Sequence, residues 1–176
     1  NIETEDKEKF FDLVFGSENW QLMDKGDLAF EDAREYFLSV FPKYKDSLNK
    51  LFDSSLTLCL NMNNNNINIL KEYKEKEYNI YYLSNMSIET FQCINKKTDF
   101  FEKTCIGGIV SAYEKMIKPS EEIYKLLLNR FNLRAEECLF IDDNLNNVNS
   151  ALKLGFNSFQ LKNMSDMKFE LEKILK

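Results

Sequence analysis

Cys138-Leu139-Phe140-Ile141-Asp142-Asp143 is a short apolar run that ends in two adjacent carboxylates. A compact apolar run bounded by polar residues is typical of a buried strand. Two neighbouring carboxylates directly after such a strand repel each other and are poorly solvated, and a divalent cation or a lysine ammonium relieves that cost. Adjacent acidic residues are also common on protein surfaces, so the meaning of this pair depends on the rest of the chain.

Similar apolar runs recur between helical patterns throughout residues 62–176. The strand candidates are Ile80–Leu83, Ile106–Val110, Cys138–Ile141 and Phe156–Leu161. Short apolar strands that alternate with helices predict an α/β, Rossmann-like core, a mainly parallel sheet covered on both faces. Ligands of such sheets bind beyond the carboxyl ends of the strands. The polar residues at those ends are therefore the candidate site residues.

Residues 1–61 predict a different architecture, because their apolar residues recur at helical spacing and no strand-like alternation occurs. The asparagine run Asn63–Asn66 marks the junction to the α/β region. We therefore expect a helical domain over residues 1–61 and an α/β core over residues 62–176. The aromatic and apolar residues of the helical part fit either its own core or a pocket wall. They are Trp20, Met23, Phe37 and Phe41.

One further strand end and the mouth of one helix carry candidate groups. Ser84 and Asn85 follow the first strand, where a hydroxyl and backbone N–H groups can bind an anion; alternatively, Ser84 is only the N-cap of the next helix. Lys118 precedes Pro119, which disfavours a helical conformation for the lysine and places it at the mouth of a helix that the proline opens. Lys118 could pair with a phosphate or with Asp142, or it could simply be solvated.

Composition excludes several classes of chemistry. The chain has 176 residues and no histidine, which excludes Ser-His or Cys-His catalysis and a histidine-ligated metal. Its net charge of −6 argues against nucleic acid as a partner. No apolar run approaches the ~20 residues of a membrane span, and the four scattered cysteines favour a reducing compartment, the cytoplasm.

Ser84, Lys118 and Asp142-Asp143 occur in this order, 34 and then 24 residues apart. This order and spacing resemble motifs II, III and IV of the haloacid dehalogenase superfamily, and most closely its subfamily with a helical cap. Further short motifs extend the resemblance over essentially the whole chain. They are Leu83-Ser84-Asn85, Ser111 with Lys118-Pro119, Ile141-Asp142-Asp143 with Asn147 and Gly155, and the cap-like Phe15-Gly16-Ser17 and Trp20–Gly26.

The resemblance implies a Mg²⁺-dependent phosphohydrolase that acts on a small phosphorylated metabolite. Ser84 and Asn85 would bind the transferred phosphoryl group, and Lys118 would neutralise its charge. Asp143 would be a Mg²⁺ ligand, and Asp142 would support the metal and orient Lys118. Asn147 would brace the loop. The oligomeric state is not predicted.

The sequence departs from the family in one respect: none of its 176 residues forms the D-x-D motif that carries the family's nucleophile. We therefore expect a segment upstream of Asn1 to carry this motif on a strand between those ending at Ser84 and Asp142. These two strands should then not pair with each other.

Two alternatives remain. A haloacid dehalogenase needs no metal, and the Asp142-Asp143 pair argues against it. A binding protein that has lost its nucleophile is favoured only if Asn1 is near the true start.

Overall fold

The computed structural model describes residues 4–53 and 62–175. Within them the first region is helical, as predicted, and the second alternates strands with helices. The α-helices are α1 (Thr4–Phe15), α2 (Glu18–Lys25), α3 (Phe30–Val40), α4 (Lys45–Phe52), α5 (Asn64–Glu75), α6 (Ile88–Asn95), α7 (Ser111–Glu114), α8 (Glu121–Phe131), α9 (Leu145–Lys153) and α10 (Met167–Ile174). The strands are β1 (Tyr81–Ser84), β2 (Gly107–Val110), β3 (Leu139–Asp142) and β4 (Asn157–Gln160). Short 3-10 turns cover Pro42–Tyr44, Ala135–Glu137 and Met164–Asp166, and Phe100–Thr104 is a π-helix.

The chain divides into two compact units. The helical unit contains residues 4–53, 84–98 and 110–117, and the sheet unit contains residues 62–83, 99–109 and 118–175. The boundary expected at residues 61 and 62 therefore describes only part of this division, because the segments that follow β1 and β2 group with the helices. Their side chains and backbone bond to α2, as described below, which explains the grouping.

The helical unit is organised around an aromatic core. Phe37 and Met23 are buried, and Trp20 and Phe41 pack against the same cluster. Of the two roles that the sequence left open, the structure thus assigns the core to Met23 and Phe37, whereas Trp20 and Phe41 are partly exposed. Helix α2 begins at the N-cap Ser17, whose hydroxyl accepts a hydrogen bond from the Trp20 N–H at 3.2 Å.

The strands form two separate two-stranded sheets, β1 with β2 and β3 with β4. Strands β3 and β4 are parallel, and Leu139 pairs with Asn157 and Asp142 with Gln160. Within the residues that the structure describes, β1 and β3 are not hydrogen-bonded to each other. This confirms the prediction that the strands ending at Ser84 and Asp142 are not neighbours.

Strand β2 approaches its surroundings closely at two glycines. A Cβ on Gly108 would lie 2.3 Å from the Tyr82 carbonyl oxygen, and one on Gly107 would lie 2.6 Å from the Phe131 ring. Both contacts are far inside van der Waals distance. The Gly-Gly pair thus sets the spacing between β1 and β2 and the packing of α8 on them.

One local prediction is refined and one is wrong. The asparagine run lies at the start of the sheet unit and also begins a helix: Asn63 is the N-cap of α5, and its side chain accepts from the Asn66 N–H at 3.2 Å. Pro119 lies in the turn before α8, and the N-cap of that helix is Ser120. The sequence also did not predict α7 or the π-helix, because their residues show no helical periodicity of their own.

Two general properties bear on the sequence predictions. Cys93, Cys105 and Cys138 are free thiols, and Cys59 lies outside the described residues. Among the helices within residues 4–53 and 62–175, none combines the length and the apolar character that crossing a bilayer requires.

Candidate active site

Lys118 lies in the turn before α8 and is almost completely buried. Its ammonium donates to the Leu83 carbonyl oxygen and to Asp142 Oδ2, both at 2.7 Å. The side chains of Lys118 and Asp142 are only 8% and 6% exposed. The ammonium also lies 5.6 Å from the centroid of the Phe140 ring. Lys118 therefore presents a fixed positive charge between the carboxyl ends of β1 and β3, and the predicted ion pair with Asp142 is confirmed.

Asp142 receives further hydrogen bonds from the loop that follows β3. Its Oδ1 accepts from the Asn144 backbone N–H at 2.8 Å and from Asn147 Nδ2 at 2.9 Å. Asn144 is itself the N-cap of α9 and accepts from the Asn146 N–H at 2.9 Å. Both oxygens of the carboxylate are thus engaged by the protein. This arrangement orients Lys118 and fixes the start of α9.

Asn147 joins this loop to α8. Its backbone oxygen accepts a 2.9 Å hydrogen bond from the Tyr124 hydroxyl, and both residues are buried. Burial, and next to it the Asp142 carboxylate, raises the pKa of Tyr124, so the hydroxyl remains a donor. Asn147 Oδ1 is buried and has no hydrogen-bond partner in the part of the chain that the structure describes. The bracing contact of Tyr124 was not predicted, because it joins residues 23 positions apart in the sequence.

Asp143 differs from Asp142 in its surroundings. Its side chain is exposed, and within residues 4–53 and 62–175 no hydrogen bond or ion pair engages its carboxylate; only its backbone oxygen accepts, from Gln160 Nε2 at 2.8 Å. The described residues contain no group of three or more His, Cys, Asp or Glu side chains that could hold a metal. Mg²⁺ is commonly bound by one or two carboxylates together with waters and substrate phosphates. The single oxygen ligand of Asp143 fits that mode.

Ser84 and Asn85 stand at the end of β1 in the helical unit. The N-cap of α6 is Ser87, whose hydroxyl accepts from the Thr90 N–H at 3.2 Å. The alternative that Ser84 caps this helix is therefore wrong. No hydrogen bond engages the Ser84 hydroxyl within the described part of the chain. Ser84 and Asn85 thus remain candidate phosphate ligands, whereas Lys118, Asp142 and Asn147 are the predicted site residues that the sheet unit brings together.

Comparison with known proteins decides the family. The sequence model of the haloacid dehalogenase-like hydrolases matches residues 64–155, which include Ser84, Lys118 and Asp142-Asp143. The chain is a haloacid dehalogenase-like hydrolase. The resemblance carried by the three motifs is therefore confirmed, and so is the Rossmann-like fold class.

Two relatives of this hydrolase are named phosphatases. A sesquiterpene phosphatase from Aspergillus oryzae is 24% identical over 99% of the chain and 88% of the relative. D-ribitol-5-phosphate phosphatase from Bacteroides thetaiotaomicron is 29% identical over 57% of the chain, which matches about half (51%) of that enzyme.

A solved structure has a similar fold. It is a wild-type family enzyme from Bacteroides thetaiotaomicron in complex with magnesium and inorganic phosphate, with a TM-score of 0.67 and 20% identity. The likeness covers 94% of the chain and 91% of that protein.

Proposed function

We propose that this hydrolase is a Mg²⁺-dependent phosphatase of a small phosphorylated metabolite. The observation that carries the proposal is the buried Lys118 ammonium, held by Asp142 and the Leu83 carbonyl oxygen at 2.7 Å. A preorganised cation in a site of low polarity stabilises the charge that develops on a transferring phosphoryl group without having to reorganise. The phosphatase relatives give independent support.

Each remaining site residue has a role that its contacts permit. Asp142 would act as a positioning residue for Lys118, because its two oxygens already accept three hydrogen bonds. Asn147 and Tyr124 would keep the Asp142 loop in place. Ser84 and Asn85 would donate hydrogen bonds to phosphoryl oxygens.

The exposed carboxylate of Asp143 would hold the metal ion. Mg²⁺ bound there would neutralise negative charge on the phosphate and orient it for in-line attack. Carboxylate oxygen is the donor type that this ion prefers, and no competing cation pairs with Asp143 among the described residues.

The nucleophile decides between an active enzyme and a protein that only binds phosphate. In this family it is an aspartate of a D-x-D motif, which these 176 residues do not contain. Experiments should therefore use protein produced from the natural reading frame. Mg²⁺-dependent binding of inorganic phosphate without turnover would identify the binding protein.

The names of the two phosphatase relatives indicate which substrate classes to test. The two relatives are named for a sesquiterpene substrate and for D-ribitol-5-phosphate. A substrate panel should thus contain farnesyl phosphate, representing an apolar alkyl phosphate, together with D-ribitol-5-phosphate and p-nitrophenyl phosphate.

The test compares Lys118→Ala with Lys125→Ala and Asp143→Asn with Asp166→Asn, using phosphate release in Mg²⁺. Lys125 lies on the surface of α8 and Asp166 is exposed, so both serve as matched controls. We expect kcat to fall about 10²–10³-fold in Lys118→Ala, as for the loss of one preorganised donor. Asp143→Asn should raise the Mg²⁺ concentration required for half-maximal activity. Full activity in either variant would refute its assigned role.

A further inference from the structure

The β1–α6 loop, residues 85–87, is held by residues that lie far away in the sequence. The Met86 N–H donates to Ser111 Oγ at 2.8 Å, and the Ser111 hydroxyl donates to the backbone oxygen of Asp24. The next N–H along the loop, that of Ser87, donates to the Asp24 carboxyl group. Two consecutive backbone amides of the loop are thus bonded to Ser111 and Asp24.

These contacts occur in a densely packed part of the helical unit. Ser111 is 0% exposed and Ser87 is 2% exposed. Gly26, which ends α2 with φ 80°, lies so close to α7 that an added Cβ would be 2.4 Å from the Ala112 carbonyl oxygen. Helix α2 and the start of α7 therefore meet backbone to backbone, and Asp24 and Ser111 have little freedom to move.

Burial of the Asp24 carboxyl group at this place costs free energy. The group is largely buried and accepts hydrogen bonds from the Trp20 indole N–H and the Ser87 N–H, and its burial raises its pKa to about 7. A buried carboxyl group destabilises a fold unless its hydrogen bonds compensate. Perturbed groups of this kind concentrate at functional sites. The Ser87 N–H joins the loop to Asp24, whereas the Trp20 indole N–H comes from α2 itself.

We propose that Asp24 and Ser111 are positioning residues for the phosphatase reaction, which fix the β1–α6 loop and so present Ser84 and Asn85 to the phosphoryl group. This inference rests on the proposed function. Ser84 lies two residues before Met86, the first loop residue whose N–H is held, and no hydrogen bond engages its hydroxyl in the described part of the chain. Its position therefore depends on the backbone of the loop. A displacement of about 1 Å in a positioned group can lower the rate of an enzyme about 100-fold.

The test measures kcat and KM for p-nitrophenyl phosphate with Mg²⁺ on protein from the natural reading frame. The variants are Asp24→Asn and Ser111→Ala, and the controls are Asp27→Asn and Ser39→Ala. Asp27 and Ser39 are exposed residues of the helical unit that do not contact the loop in any described interaction. We expect kcat to fall about 10- to 100-fold in the two variants with a smaller change in KM, and both controls to retain the wild-type values.

Hydrogen exchange separates loss of positioning from loss of folding. In folded variants, peptides covering residues 84–90 should exchange faster than in the wild type, while peptides from α3 and α4 keep their protection. Ser111→Cys, which is similar in size but a weaker hydrogen-bond partner, should give an intermediate kcat if Ser111→Ala does not fold.

Folded variants with wild-type kcat, or with unchanged exchange in residues 84–90, would overturn the inference. If the wild-type protein releases no phosphate at all, the proposed function is wrong and the inference falls with it. The two failures are therefore distinguishable.

Discussion

The Lys118–Asp142 ion pair can be tested by comparison with a second pair of equal length. Lys125 and Glu121 are also 2.7 Å apart, but their side chains are 55% and 52% exposed, against 8% and 6% for Lys118 and Asp142. The perturbation is a double-mutant cycle at each pair. Lys118→Met and Asp142→Asn are made singly and together, and Lys125→Met and Glu121→Gln likewise.

Burial sets the expected magnitudes. At this distance the Coulomb attraction is about 6 kcal/mol at an effective dielectric of ~20 and only ~1.5 kcal/mol in bulk water. Removal of one partner of a buried pair typically costs ~3–5 kcal/mol, because the other charge stays buried and loses its counter-charge. The double variant removes both charges and leaves mainly one unsatisfied amide, at a cost of ~1–3 kcal/mol. The Leu83 carbonyl oxygen loses its donor both in Lys118→Met and in the double variant, so this loss cancels in the cycle.

The coupling energy is therefore expected to be at least ~3 kcal/mol for Lys118–Asp142. For the exposed i,i+4 pair it should be ~0.3–0.5 kcal/mol. Urea unfolding at neutral pH in EDTA provides the free energies, provided that the m-values remain constant. Added salt should reduce the coupling of the exposed pair more than that of the buried one.

Equal, small coupling energies in the two cycles would refute this reasoning. They would show that the Lys118 ammonium is accessible to water, and the fixed charge on which the proposed function depends would be lost.

Three further predictions concern stability. The pKa of Asp24 is raised from 3.8 to about 7, so the folded state retains a proton that the unfolded state releases. The contribution of Asp24 to the free energy of unfolding should therefore fall by up to ~4 kcal/mol from pH 4 to pH 7. Urea titrations should show this decline in the wild type and not in Asp24→Asn. Gly108→Ala should lower the free energy of unfolding by ~1–3 kcal/mol through its clash with the Tyr82 carbonyl oxygen, and an unchanged urea midpoint would contradict the packing. Tyr124→Phe should cost ~1 kcal/mol, because the Asn147 carbonyl oxygen loses its donor; an unaffected melting curve would count against that bond.

The sheet and its site could be predicted because their signals are local. The run Cys138–Ile141 is apolar and short and ends at the carboxylates, and the structure places β3 at Leu139–Asp142. Lys118 precedes a proline, which kept it out of the helix, and the carboxyl ends of strands are where such residues converge. These features made a Lys118–Asp142 contact one of several options, and the family resemblance made it the expected one.

The start of α6 could not be predicted for a tertiary reason. Ser84, Asn85 and Ser87 are all good N-cap residues. The structure selects Ser87, because the backbone N–H groups of Met86 and Ser87 are bonded to Ser111 and Asp24.

Other tertiary contacts could not be predicted from the sequence for the same reason. Ser111 and Asp24 are 87 residues apart, and Tyr124 and Asn147 are 23 apart. No local pattern shows which residues of two distant segments will meet.

The most direct test of the proposed phosphatase compares two products from one preparation. Protein from the natural reading frame would be incubated with p-nitrophenyl phosphate and, separately, with chloropropionate, each in Mg²⁺ and in EDTA. Released phosphate and released chloride are measured in parallel. We expect phosphate release that requires Mg²⁺ and no chloride release under either condition. Chloride release that persists in EDTA would contradict the account and identify a metal-independent dehalogenase.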